Sequence, residues 1–194
     1  VGVLAVLVVL VSCAQAGQRV GRPLELPGWV GTLQEAAASL RIINSYGLFA
    51  TMTTTRPEVV IEGSLDGETW ETYTFPYKAT ELHVAPRFAP PLHMPRVDWQ
   101  LWFAGLRGRC QNTRWYLPFA RRLLEGSDTV ATLLEENPFP DAPPRYLRSR
   151  LFLYRFSAPE KREISGDWWT REEQRAFCPT LTLKDGELVK ARLP

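Results

Sequence analysis

The sequence predicts an α+β domain. An antiparallel sheet is built on a hairpin at 58–75 and a strand at 145–156, packed by helices near 97–106 and 118–136, and the domain is preceded by the end of a transmembrane helix. Three observations lead there. Two β-prone runs, Glu58–Ser64 and Thr69–Phe75, flank a turn containing Asp66-Gly67, where glycine supplies a positive φ. Pro118–Glu125 places proline in a first helical turn, pairs Phe119 with Leu123 and Ala120 with Leu124, and meets Gly126 as its stop. Finally, 194 residues at 45% hydrophobic and 23% charged fit one globular domain, or one with an appendage, and exclude disorder, collagen and coiled coil. A β-sandwich of jelly-roll type with helical insertions is the alternative, because the pattern Gly63-Ser64-x-Asp66-Gly67-x-x-Trp70 also occurs in such binding modules.

In chain order, Val1–Ala14 is an uncharged apolar run that spans about 21 Å as a helix, short of a hydrocarbon core of roughly 30 Å. It reads as the last part of a transmembrane helix, as a signal region with Ala14-Gln15-Ala16 as a cleavage site, or loosely as a lipoprotein site at Leu10–Cys13. A buried core helix fits less well, since the run is rich in valine and a Gly/Arg/Pro-punctuated linker follows. The segment 15–40 is this linker plus a short helix at Thr32–Leu40, with Thr32 as N-cap and Glu35 completing a capping box. The domain itself runs over 41–194. Arg41–Thr55 holds β-rich pieces, Pro76–Pro95 is a proline-rich loop, and Val97–Leu106 is helical in pattern, with its three aromatics leaving a strand as the alternative. Ser127 caps a further helix that carries Val130, Leu133 and Leu134 and ends before Asn137-Pro138. Arg145–Phe156 is the longest strand, with imperfect alternation.

A net charge of +2 gives no pull toward nucleic acid. Three cysteines without a CxxC pair are too few for a disulfide scaffold and badly spaced for zinc; Cys110 and Cys178 either bridge in an oxidising compartment or remain buried thiols. Ile43–Gly47 lacks the first glycine of a Gly-x-Ser-x-Gly elbow, and there is no HExxH, phosphate-cradling loop or dinucleotide fingerprint. The two histidines, His83 and His93, fall in loops. A deep polar pocket around either would point to an enzyme, and an exposed aromatic patch to client binding. Asp66 and Glu68 sit where a turn wants them.

Several stretches together resemble the lipase maturation factor family. They are Ile43–Phe49, Arg56–Ser64, Asp66-Gly67, Trp70, Tyr77-Lys78, His93–Ala104, Arg122–Gly126, Asn137–Phe139, Pro143–Arg148 and Trp168-Trp169, in order over roughly 41–183. The segment Arg96-x-Asp98-Trp99-Gln100-x-Trp102-Phe103 is the most distinctive. Met94 stands where glutamine is common, and Ala79-Thr80 follow Lys78 where Pro-Gly is usual. The resemblance implies the C-terminal part of a multi-pass membrane protein. In animals it sits in the endoplasmic reticulum with this domain in the lumen; in bacterial relatives the domain is periplasmic. In the animal members the resemblance implies a non-enzymatic chaperone, without a cofactor, that helps secreted homodimeric lipases or other hydrolase clients assemble; the bacterial relatives have no well-defined role. Arg19 and Arg22 mildly oppose that topology, because flanking positive charge usually stays cytoplasmic. A carbohydrate- or lipid-binding module of a membrane protein is the rival function.

The residues singled out for client binding are Arg96, Asp98, Trp99, Trp102, Phe103, Arg148, Trp168 and Trp169. On a helix, Asp98 and Trp102 share one face and Trp99 and Phe103 another, and aromatic and arginine groups are the composition of binding hot spots. The same aromatics serve equally well as core between helix and sheet, with Arg96 and Asp98 tying down the loop. Trp168-Trp169, if extended, puts one ring in and one out. Arg145, Arg148, Arg150 and Arg155 form a basic strand face.

Overall fold

The Asp66 side chain organises the first turn of the sheet. In the computed structural model, which describes residues 2–19, 21, 27–39, 53–89 and 94–193, its Oδ1 accepts the amides of Glu68 and Thr69 at 2.8 Å and the Ser64 hydroxyl at 2.9 Å. The two amides and the Ser64 hydroxyl hold its carboxyl down to about 2. The turn joins β1 (Arg56–Ser64) to β2 (Glu71–Thr72), with Glu62 opposite Thr72. The second arm is shorter than expected: after Tyr73 donates to the Ile61 carbonyl, Thr74 bridges to Glu136 and the backbone leaves the sheet.

The chain divides into two units, Val1–Met52 and Thr53–Pro194. In the first, α1 (Gly2–Arg19) and α2 (Gly28–Ser39) lie in contact. Helix α1 continues past Ala14, and among the described residues no helix is long and apolar enough to cross a membrane. Helix α2 starts a turn before Thr32, because the Pro27 carbonyl already accepts the Val30 amide; Thr32 lies inside the helix and caps nothing. Leu40 and the expected β-rich pieces at 41–52, with the Ile43–Phe49 motif, lie outside the described residues.

The second unit is α+β. Its sheet has five antiparallel strands in the order β2-β1-β3-β4-β5, with β3 (Tyr146–Phe156), β4 (Trp169–Lys184) and β5 (Glu187–Lys190) completing it. Strand β3 is central, pairing with β1 from Arg56–Tyr154 to Ser64–Tyr146 and with β4 through three irregularities that account for its broken alternation. The long connection from β2 to β3 carries α3 (Arg96–Arg107), α4 (Tyr116–Leu124) and α5 (Asp128–Ala131). The expected helix from Ser127 to Glu136 is one turn only, because the Glu135 amide bonds the Thr74 carbonyl and pulls the backbone straight.

These helices cover one sheet face. Leu101 and Ala104 of α3, Tyr116, Phe119, Ala120, Leu123 and Leu124 of α4, and Val130 pack on Val59, Ile61, Leu147, Leu151, Phe177 and Leu181. The Tyr116 and Ser149 hydroxyls hydrogen-bond inside this core, and Cys110, in a 3₁₀ turn after α3, is bridged to Cys178 of β4. The opposite face has a smaller cluster in which Ala79 of the loop caps Val60, Phe152, Tyr154 and Trp169. Among the described residues the arrangement is one sheet with helices on one side, not two sheets face to face, so the sandwich alternative does not hold.

Candidate functional site

The sequence-selected residues on α3 separate by helical spacing into two faces. Asp98, Leu101, Ala104 and Gly105 are buried, on the side that packs on β1. Asp98 Oδ1 accepts the Tyr77 amide at 2.7 Å, which ties the proline-rich loop to the first turn of the helix. Burial raises its carboxyl above the usual value, against the Tyr77 bond and the nearby Lys78 charge. Trp99, Trp102 and Phe103 form the other face. They are half-buried and in mutual edge or tilted contact, with ring centres 5.9, 5.5 and 5.2 Å apart, and Leu106 extends the stripe with 39% exposure. Arg96 is exposed at the helix start. The α3 aromatics therefore lie outside the central core, at positions i, i+3, i+4 and i+7 of the helix face turned away from β1.

The remaining candidates lie on the sheet and its connections. Trp169 is buried, while Trp168 is half-buried beneath the Arg162 guanidinium, 4.4 Å from its ring centre. Arg148 does not belong to a free basic face. Its Nε donates to Glu62 Oε2 at 2.8 Å, and its guanidinium lies 4.1 Å from the Trp70 ring centre. Arg150 donates to both Glu62 oxygens and to Glu173 at 2.7–2.8 Å. Burial alone would raise the Glu62 carboxyl, but the hydrogen bonds from Arg150 and Arg148 hold it below its usual value.

A cleft of about 390 Å³ opens beside this face, lined by Arg56 and Trp169, by the 74–87 segment and by Glu135 and Glu136. An ion pair between Arg87 and Glu135 crosses its rim. His83 is exposed in the lining, and His93 lies outside the described residues. Behind Arg56 and Lys78 of the lining lies an ion-pair cluster that sequence reading passed over. Glu58 and Lys78, both almost fully buried, pair at 3.3 Å, and Arg56 Nε donates to Glu58 at 2.9 Å. Desolvation lowers the Lys78 ammonium, and the Glu58 charge opposes that. The signal was in the sequence: Arg56, Glu58, Val60 and Glu62 alternate with Pro57, Val59, Ile61 and Gly63, so a period of two already separated a charged sheet face from an apolar one. Among the described residues no group of three or more His, Cys, Asp or Glu is placed to hold a metal ion.

The fold defines an α+β domain, a five-stranded antiparallel sheet with helices on one face. The model of the lipase maturation factor C-terminal domain matches residues 42–179. The protein is 38% identical over 169 residues to lipase maturation factor 2 of Gallus gallus, covering 82% of this sequence and 23% of that protein. It is 40% identical over 168 residues to lipase maturation factor 2 of Homo sapiens, with the same coverage. Against lipase maturation factor 1 of Mus musculus it is 36% identical over 154 residues, 75% of this sequence and 26% of that protein. The chain belongs to the lipase maturation factor family. It spans about a quarter of the length of these curated relatives. No solved structure matches it.

Proposed function

We propose that this domain takes part in the maturation of secreted lipases by binding partly folded client, and that it catalyses no covalent step itself. The observation that carries this reading is the family match across 42–179, joined to relatives named for lipase maturation. The surface we assign to the client is the outward stripe of α3, Trp99, Trp102 and Phe103 with Leu106 at its end, beside Arg96. Half-buried rings on a stable helix offer large contact area at little ordering cost, which suits a surface that must bind and then release.

We place the domain in the lumen of the endoplasmic reticulum in an animal protein, or in the periplasm in a bacterial one. The Cys110–Cys178 bridge supports an oxidising compartment. Reporter fusions at the C-terminus of the full-length protein test this placement, and a cytoplasmic C-terminus would refute it. The functional test is deletion of the full-length gene and a survey of secreted lipase. Lost activity with lipase protein retained as aggregate is expected. Unchanged secretion and activity of every extracellular lipase would overturn the reading.

A further inference from the structure

Arg56, the first residue of β1, is fixed on two sides and unused on its terminal nitrogens. Its Nε donates to Glu58 Oε1 at 2.9 Å, and its guanidinium carbon lies 4.9 Å from the centre of the Trp169 ring. Glu58 and Trp169 are almost completely buried, while the Arg56 side chain keeps 40% exposure. Each support is itself held. Glu58 is ion-paired through Oε2 to buried Lys78 at 3.3 Å, although that oxygen accepts no hydrogen bond among the described residues, and Trp169 donates its Nε1 hydrogen to the Val84 carbonyl at 2.9 Å with Phe156 stacked at 4.4 Å. The Arg56 terminal nitrogens make no hydrogen bond among the described residues. With Nε turned to Glu58 and the guanidinium against Trp169, Arg56 lines the cleft with its terminal nitrogens uncommitted among the described residues.

A strand end needs none of this. Burying a carboxylate and an ammonium costs several kcal/mol per ion before pairing, and here the buried carboxylate holds one partly exposed guanidinium by its Nε. A planar fork of donors held in advance is the geometry that recognises a carboxylate through two parallel hydrogen bonds. The rest of the lining restricts the ligand further. Glu81 and Glu136 line the same cleft and form no ion pair among the described residues, so a multiply charged anion such as phosphate meets repulsion there. Tyr77, Phe75 and Pro86 add apolar wall, suited to the neutral neighbours of a single carboxylate.

We propose that Arg56 is the carboxylate-recognising group of this cleft, and that the ligand is a polypeptide segment bearing one carboxylate, either on an acidic side group or at a free C-terminus. The site is separate from the α3 stripe and does not depend on the lipase reading.

The test is a titration of the 194-residue protein followed by the Trp169 indole N–H resonance. The probes are three acetylated tetrapeptides and inorganic phosphate. One peptide has a glutamate and an amidated end, one has no acidic residue and a free C-terminus, and one has neither carboxylate. A saturable shift with at least one carboxylate peptide, and none with the uncharged amidated peptide or phosphate, is expected. Response to the glutamate peptide alone assigns an acidic residue, to the free C-terminus alone a terminal carboxylate, and to both a carboxylate from either source. Arg56→Lys weakens binding about tenfold, since it keeps charge and loses the fork, and Arg56→Gln abolishes it. No saturable shift with either carboxylate peptide, or equal response to the uncharged one or to phosphate, would overturn the proposal, as would unchanged affinity in folded Arg56→Gln.

Discussion

Gly105 of α3 rests its Cα against the backbone carbonyl of Pro57 on β1, so closely that a Cβ at position 105 would overlap the Pro57 oxygen. This contact sets how near α3 lies to the sheet and hence where its outward aromatic face stands. Gly105→Ala gains about 1 kcal/mol of helix propensity but forces α3 off a backbone group that cannot swing aside, an overpacking cost of about 1–3 kcal/mol. The variant is expected to unfold at lower urea concentration than the native protein. A raised midpoint would mean that α3 does not press on β1.

The Cys110–Cys178 bridge closes a separation of 68 residues between the end of α3 and β4, and both cysteines are buried. By the chain-entropy relation, removing such a bridge costs about 4 kcal/mol. The double variant Cys110→Ser, Cys178→Ser is expected to lose roughly that much in denaturant titration. The native bridge is expected to resist reductant until the domain unfolds. Equal stability of the double variant would contradict it.

Much of the fold was legible where local chemistry decides it. The Asp66-Gly67 turn, the Pro118–Gly126 helix and the β3 strand all carry their signals in short local stretches. The losses were of two kinds. The second hairpin arm and α5 were cut short by a tertiary contact, Thr74 against Glu135 and Glu136, which no local pattern reports. The β4–β5 hairpin was readable and passed over: Asp185-Gly186, both at positive φ, form the tight turn that Asp-Gly favours. Helix α6 (Pro159–Ser165) likewise had its Pro start and Gly166 stop. Of the candidate site, helical spacing paired Trp99 with Phe103 correctly, but it set Trp102 beside Asp98, whereas Asp98 is buried toward β1 and Trp102 stands with the other two rings. The fate of Arg148 carried no local signal, because its partner Glu62 is 86 residues away.

Glu62 gives the domain a pH dependence of definite sign. Burial pushes its carboxyl up, but the Arg150 and Arg148 bonds win and hold it below its ordinary 4.5. The unfolded protein therefore takes up this proton first on acidification. The stability due to Glu62 is complete above pH of about 4.5 and is lost as pH falls through the lower, folded-state value. Asp98, raised by burial, has the opposite slope, so the comparison must be between the native protein and Glu62→Gln. The variant is expected to be less stable by about 1–3 kcal/mol at neutral pH, and the gap is expected to narrow in acid. A gap that widens in acid would contradict the assignment of Arg148 and Arg150 as its partners.

Truncation inside the core and alteration of the outward α3 face are expected to separate. Leu101→Ala empties a fully buried position and costs about 2–5 kcal/mol. Leu106→Ala, at a position with 39% exposure, is expected to change stability by well under half of that. Equal losses in thermal or urea unfolding would place Leu106 in the core and remove it from the assigned client surface.

The central claim is that the outward face of α3 acts on lipase folding. The most direct measurement is the ratio of lipase activity to lipase protein secreted by a deletion strain complemented with the native full-length protein or with its Phe103→Asp, Leu106→Asp form. Variant abundance and the Cys110–Cys178 bridge serve as checks of folding. A native-level ratio with the unaltered protein, and a ratio near that of the deletion with the folded variant, is the expected result. Full rescue by the folded variant would contradict the account.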